Sequence, residues 1–190
     1  MKTIVITGGI GSGKSVVSRI LCLMGYEVYD CDANAKILMN SSAHIRKELT
    51  SLFGNGVYSE DGTLNKAKLS EKIFSDKDAL SKVNAIVHPV VKDDINKRIE
   101  CSTDPLFFIE SALPRESGLD RMCNAVWLVT APEETRVLRV MARNGVSSGQ
   151  VKARIKNQNF SQIDNTNVLE IINNDSNAVL PQIVNALSCL

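Results

Sequence analysis

The sequence predicts an α/β fold: a doubly wound, five-stranded parallel sheet with a phosphate-binding loop, a helical insertion and a helical lid. Three observations carry this. Short apolar, β-branched runs alternate with stretches of helical spacing along the 190 residues, the pattern of a parallel sheet with crossover helices. The first run leads into a glycine-rich loop and then a helix. The stretch between the second and third runs is too long and too helical for a simple crossover.

Taken in order, Thr3 to Thr7 reads as a buried strand. Gly8-Gly9-Ile10-Gly11-Ser12-Gly13-Lys14-Ser15 follows and fits G-x-x-x-x-G-K-[ST] at every fixed position. Its glycines let successive backbone N–H groups turn inward on phosphate oxygens. The helix expected over Ser15 to Met24 adds the partial positive charge of its N-terminus. Lys14 is placed to reach β- and γ-phosphates, and the Ser15 hydroxyl to bind Mg²⁺.

Gly25 stops that helix, and Tyr26 to Asp30 reads as the second strand. Helices are expected over Asp32–Asn40 and His44–Phe53, with a loop punctuated by Gly54-Asn55-Gly56 and Asp61-Gly62. From Asn65 to Cys101 the pattern is almost continuously helical, with a break expected at His88-Pro89. Leu106–Ile109 and Ala125–Val129 read as the third and fourth strands. Trp127 is core packing in the latter. Pro132 suits a first helical position, followed by Glu133 and Glu134, with that helix ending near Asn144. Ser147–Asn159 is expected as a helix, Leu169–Ile172 as the fifth strand and Asn177–Leu187 as the last helix. A single domain over 1–190 is expected, with 60–101 as a helical substrate-binding part and 139–158 as a lid.

Composition narrows the function. A net charge of +1 gives no bulk attraction to nucleic acid or anionic membrane. No apolar run approaches the roughly 18 residues that span a bilayer. Five scattered cysteines without a C-x-x-C pair suggest reduced thiols and a cytoplasmic protein. No aspartate has glycine three residues on, and Asn65-Lys66-Ala67-Lys68 lacks the aspartate of a guanine-reading motif. A regulatory GTPase is therefore disfavoured, and small size disfavours a motor or transporter ATPase. A small-molecule kinase is the reading left standing.

Several side chains are candidates for that chemistry. Asp30 and Asp32 stand at the carboxyl end of the second strand, where ligands of open parallel sheets bind. Asp32 either orients an attacking hydroxyl or caps the next helix. Glu110 ends the third strand, where a carboxylate can sit near Mg²⁺; the alternative is a solvated strand end. Arg136, Arg139 and Arg143 share one helix face at i, i+3, i+7. With Arg154 they form either a lid over the transferring phosphate or an exposed basic face.

With these residues in view, the chain resembles the dephospho-coenzyme A kinase family. The matching pieces are the phosphate loop from Thr7, Asp30-Cys31-Asp32, Asp61-Gly62-Thr63-Leu64, His88-Pro89 and Ile171-Ile172-Asn173-Asn174. Glu116 resembles the glutamate that ends the family's P-L-L-F-E segment, and Arg139 and Arg143 resemble its lid arginines. The resemblance implies transfer of phosphate from ATP to the ribose 3′-hydroxyl of dephospho-coenzyme A, with Mg²⁺. It implies catalytic roles for Asp32, Lys14 and Arg143. ATP would be bound by Gly9, Ile10, Gly11, Ser12, Gly13, Lys14, Ser15 and Arg139. Asp32, His88 and Glu116 would hold the substrate, and Ser15 and Glu110 the metal. A monomer or small homo-oligomer is expected. Another kinase of this fold, acting on a nucleotide, nucleoside or sugar, is the alternative, ahead of a non-catalytic nucleotide-binding regulator.

Two departures stand out. Ala112-Leu113-Pro114-Arg115-Glu116 replaces P-L-L-F-E, and Glu110 stands where the family more often has aspartate. Pro114 lacks an N–H, and Arg115 is too polar to bury alone. An irregular, partly exposed loop is therefore expected there, with Glu116 lining the substrate crevice.

Overall fold

A computed structural model describes residues 1–74, 76–156, 163–174 and 176–190. The chain begins with β1 (Lys2–Thr7), α1 (Lys14–Leu23) and β2 (Val28–Asp30). Four helices follow: α2 (Cys31–Ser41), α3 (Ala43–Phe53), α4 (Lys66–Phe74) and α5 (Lys77–Cys101). Then come β3 (Leu106–Glu110), the short helices α6 (Pro114–Ser117) and α7 (Leu119–Met122), and β4 (Ala125–Thr130). Helices α8 (Glu133–Asn144) and α9 (Ser148–Lys156), β5 (Val168–Ile172) and α10 (Val179–Ser188) complete the order. Residues 157–159 of the expected helix, two of which also fall in the expected lid, lie outside the described residues. No described helix is long and apolar enough to cross a membrane.

The elements fall into two compact units. Met1–Asp30 with Thr103–Leu190 forms one, and Cys31–Ser102 the other. The first holds a five-stranded sheet in the order β2-β3-β1-β4-β5, with every pairing parallel. Ile4, Val5 and Ile6 of central β1 are wholly buried, as a strand covered on both faces requires. Phe108 packs between Tyr26 and Trp127, at ring separations of 5.4 and 5.3 Å. β1 pairs with β3 on one side and β4 on the other, so the loop after β1 lies where the strand order reverses. Ligands of open α/β sheets bind at that point.

In the helical unit, α5 packs on α2, α3 and α4. It buries Ala79, Val83, Val87, Val91 and Ile95, one residue every fourth position. Asp76 caps it, accepting from the amides of Asp78 (2.9 Å) and Ala79 (3.1 Å). The connection to α4 is stapled to α2 and α3. Tyr58 Oη donates to Met39 O (2.7 Å), and Leu64 N to Asn40 Oδ1 (2.8 Å). Arg46 donates to Asn40 O and Gly62 O while covering the Tyr58 ring.

Four local expectations need correction. The expected break at His88-Pro89 does not occur, because α5 runs through Pro89. The buried stripe on both sides of the proline holds the helix together, and Pro89 itself is exposed. The Ala112–Glu116 segment is no irregular loop. Pro114 opens α6 and is buried, since a first helical position needs no N–H donor. β2 is shorter than expected and α2 starts directly at Cys31, so Asp32 lies inside its first turn rather than capping it. Pro132 precedes α8 instead of opening it.

Candidate active site

The loop after β1 takes its shape from glycines that nothing else could replace. Gly11 (φ 78°) and Gly13 (φ 96°) adopt left-handed backbone conformations that other residues rarely tolerate. A Cβ at Gly11 would lie 2.6 Å from Arg136 O, and one at Gly13 would collide with the Asn173 amide nitrogen. The neighbours therefore press directly on the loop's main chain. Gly13 is the N-cap of α1, which has no side-chain cap and no acidic residue in its first turn. Its partial positive charge stays available to an anion.

Alternate carbonyls of the loop accept hydrogen bonds from three different elements. Lys14 Nζ on α1 donates to Gly8 O at 2.9 Å. Arg136 Nε on α8 donates to Ile10 O at 2.9 Å. Asn173 Nδ2, just past β5, donates to Ser12 O at 2.9 Å. Arg139 Nη1 in turn donates to Asn173 O at 3.0 Å. Among the described residues, the two buried side-chain oxygens without a hydrogen-bond partner are Thr7 Oγ1, just before this loop, and Ser12 Oγ, within it. A glycine cradle, an uncapped helix start and the Lys14 ammonium suit a polyphosphate.

A carboxylate group stands beside the loop. Glu110 Oε2 accepts from Ser18 Oγ at 2.6 Å. Ser18 lies one turn beyond Ser15 on α1, hence on the same helix face. Asp30 is the register partner of Glu110 across β2 and β3. A serine hydroxyl and a carboxylate are hard oxygen donors of the kind Mg²⁺ takes, and Mg²⁺ commonly uses one or two carboxylates with substrate phosphates. Ser15 and Glu110 therefore fit such an ion.

The three arginines of α8 do not act alike. Arg136 and Arg139 turn to the loop, whereas Arg143 is exposed and donates to Asn144 Oδ1 at 3.1 Å. Burial lowers the Arg136 pKa and the Glu133 charge opposes this; a guanidinium remains cationic throughout the physiological range. Glu116 and Arg115 lie exposed on α6. In the helical unit, Asp32 is exposed in the first turn of α2, and His88 is half-buried on α5. The sequence reading missed Ser18 and the loop-facing roles of Arg136 and Asn173. One signal was available for each. Ser18 repeats Ser15 at helical spacing, Arg136 precedes Arg139 by one turn, and Asn173 ends an apolar strand.

Residues 2–179 match the family model for dephospho-CoA kinase. The chain belongs to the dephospho-CoA kinase family. It is 44% identical to the dephospho-CoA kinase of Porphyromonas gingivalis over 191 aligned residues, which cover 97% of this chain and 92% of that protein. Among solved structures, TT1252 from Thermus thermophilus superposes with a TM-score of 0.79 at 35% identity, over 99% of this chain and 95% of that one. The dephospho-CoA kinase from Campylobacter jejuni shares the fold, with a TM-score of 0.68 at 23% identity over 99% and 96% of the two chains.

Proposed function

We propose that the protein transfers the γ-phosphoryl group of ATP to the ribose 3′-hydroxyl of dephospho-CoA, giving ADP and CoA, the last step of CoA synthesis. The family match over residues 2–179 carries this reading, and the phosphate loop supplies the chemistry it needs. The loop amides and the start of α1 hold the polyphosphate. Lys14 moves from Gly8 O to the β- and γ-oxygens, where its charge offsets the negative charge on the phosphoryl group in flight. Asp32 accepts a hydrogen bond from the 3′-hydroxyl, aims it at phosphorus and takes its proton. Arg139 binds ATP, and Arg143 meets the transferring group when α8 and α9 close over it. His88 and Glu116 contact dephospho-CoA. Ser15 and Glu110 would hold Mg²⁺, which when bound would neutralise phosphate charge. The reading places the enzyme in the cytoplasm.

ADP release from ATP and Mg²⁺, measured with and without dephospho-CoA, tests this. Release should depend on dephospho-CoA and almost vanish in Lys14→Ala. Equal release with shikimate, nucleosides or sugars, or none with dephospho-CoA, overturns the assignment.

A further inference from the structure

The hydrogen bonds to Gly8 O, Ile10 O and Ser12 O differ in what they leave behind when ATP arrives. Lys14 has a second task, because its ammonium is the group that reaches the phosphates. Arg136 and Asn173 reach the loop from outside its own strand and helix. We infer that Arg136 and Asn173 are positioning residues that clamp the phosphate loop by its Ile10 and Ser12 carbonyls. This keeps the loop in its ATP-binding shape once Lys14 has left Gly8. The inference rests on the kinase reading above.

A glycine-rich loop has many backbone states, and fixing even one residue has a cost in conformational entropy. An anion that orders such a loop loses that amount from its affinity, whereas a loop held beforehand does not. Binding the carbonyls is an economical way to hold it. A carbonyl fixed by an outside donor fixes the plane of the following peptide, so the Ile10 and Ser12 bonds orient the N–H groups of Gly11 and Gly13. Both glycines have left-handed backbones, and both sit where a Cβ would meet the clamping residues. The packing and the hydrogen bonds therefore act on the same two peptides. Asn173 is buried, and its own carbonyl accepts from Arg139. One residue thus joins the loop, the end of β5 and α8. Ile10 adds an apolar tie, packing against the cluster of Val137, Val140 and Val151.

The role of Arg136 separates cleanly from that of a phosphate-binding arginine. The bond to Ile10 O uses Nε. A glutamine carries an N–H at the same place in the side chain, the fourth atom beyond Cα, but no charge. Methionine has a similar length and neither donor nor charge. Clamping requires that Arg136→Gln keep function and Arg136→Met lose it. Direct contact with phosphate requires that both lose it.

The test is calorimetric binding of ATP and of inorganic triphosphate to the full chain, with adenosine as a control for the folded site and thermal melting alongside. Arg136→Met should weaken ATP and triphosphate at least tenfold, about 1.4 kcal/mol, with adenosine affinity within threefold. Arg136→Gln should stay within threefold for all three ligands. Asn173→Asp keeps the shape but replaces the donor with an acceptor, so it should weaken ATP and triphosphate at least as much as Arg136→Met. In turnover, Arg136→Met should raise the KM for ATP and leave that for dephospho-CoA unchanged. ATP affinity unchanged in Arg136→Met and Asn173→Asp overturns the clamp. Equal losses in Arg136→Gln and Arg136→Met replace it with a charge contact. Failure of the wild-type chain to bind ATP or triphosphate defeats the kinase reading instead. A variant that fails to fold reveals itself by losing adenosine too, and the remaining variants then decide.

Discussion

Asp30 and Asp32 stand two residues apart and belong to different elements, one closing β2 and the other in the first turn of α2. Asp30 is fixed in register against Glu110. Asp32 is an exposed carboxylate in the first turn of α2. An accessible carboxylate suits a group that orients a hydroxyl and takes its proton. Asp32→Asn should therefore lower kcat by about 10²–10⁴-fold and leave ATP affinity almost unchanged, with a milder loss for Asp30→Asn. Steady-state kinetics of the two variants decide it, and a larger loss in Asp30→Asn reverses the assignment. Cys123 shows a different residue-scale effect. Burial, reinforced by the Asp120 charge and opposed by a hydrogen bond with Thr3, pushes its thiol from an ordinary 9.0 up to about 11. The folded state therefore holds the proton more tightly than the unfolded chain. The stability this gives is complete below about pH 9 and is lost as the pH rises towards 11. The loss amounts to about 2–3 kcal/mol. Melting curves of the wild type and Cys123→Ser across that range should show a steeper decline in the wild type, and parallel curves would refute it.

At the scale of elements, what could be read ahead of the structure was what each segment carries within itself. β1, the phosphate loop and α1 are written in adjacent residues, and the acidic start of α8 likewise. α5 was not legible, because its continuity through Pro89 depends on burial against α2, α3 and α4. A local rule sees the proline and not the stripe from Ala79 to Ile95. α6 failed for the opposite reason: the missing N–H of Pro114 was weighed as a loss at a position where none is needed. Spacing could point to Arg136 and Asn173 but not to their partners, since they meet Ile10 and Ser12 only through the fold. The account of α5 has a consequence. An interior proline costs a helix about 3 kcal/mol, offset by about 0.4–1 kcal/mol from a stiffer unfolded chain. Pro89→Ala should therefore raise Tm by several degrees, at about 2–4 °C per kcal/mol for a chain of this size. An unchanged or lower Tm would show that the proline is not a cost that the buried stripe overcomes.

The two units of the molecule set what each ligand should do to it. The sheet unit contains the phosphate loop and the elements that hold it. α8 and α9 share a small apolar cluster of Val137, Val140 and Val151, joined by Ile10 from the loop. So few buried groups place this helix pair towards the low-stability end of the fold, where segments that close over a ligand are found. The helical unit has its own core along α5 and carries His88 and Asp32. Hydrogen exchange separates the two. With a non-hydrolysable ATP analogue at about one hundred times its Kd, amides that open only after release should slow by about a hundredfold. Those amides should lie in Gly8–Ser15 and across Glu133–Lys156. Dephospho-CoA alone should instead slow exchange within 31–102, with α5 around His88 among the affected segments. The reason is chemical. The loop answers to a polyphosphate through its oriented amides and the Lys14 charge, and the proposed substrate contacts Asp32 and His88 lie on the helical chain. Protection by the ATP analogue that spares Glu133–Lys156 would leave the phosphate site intact and remove the closing role of α8 and α9. Protection by dephospho-CoA confined to the sheet unit would move its binding site off the helical unit.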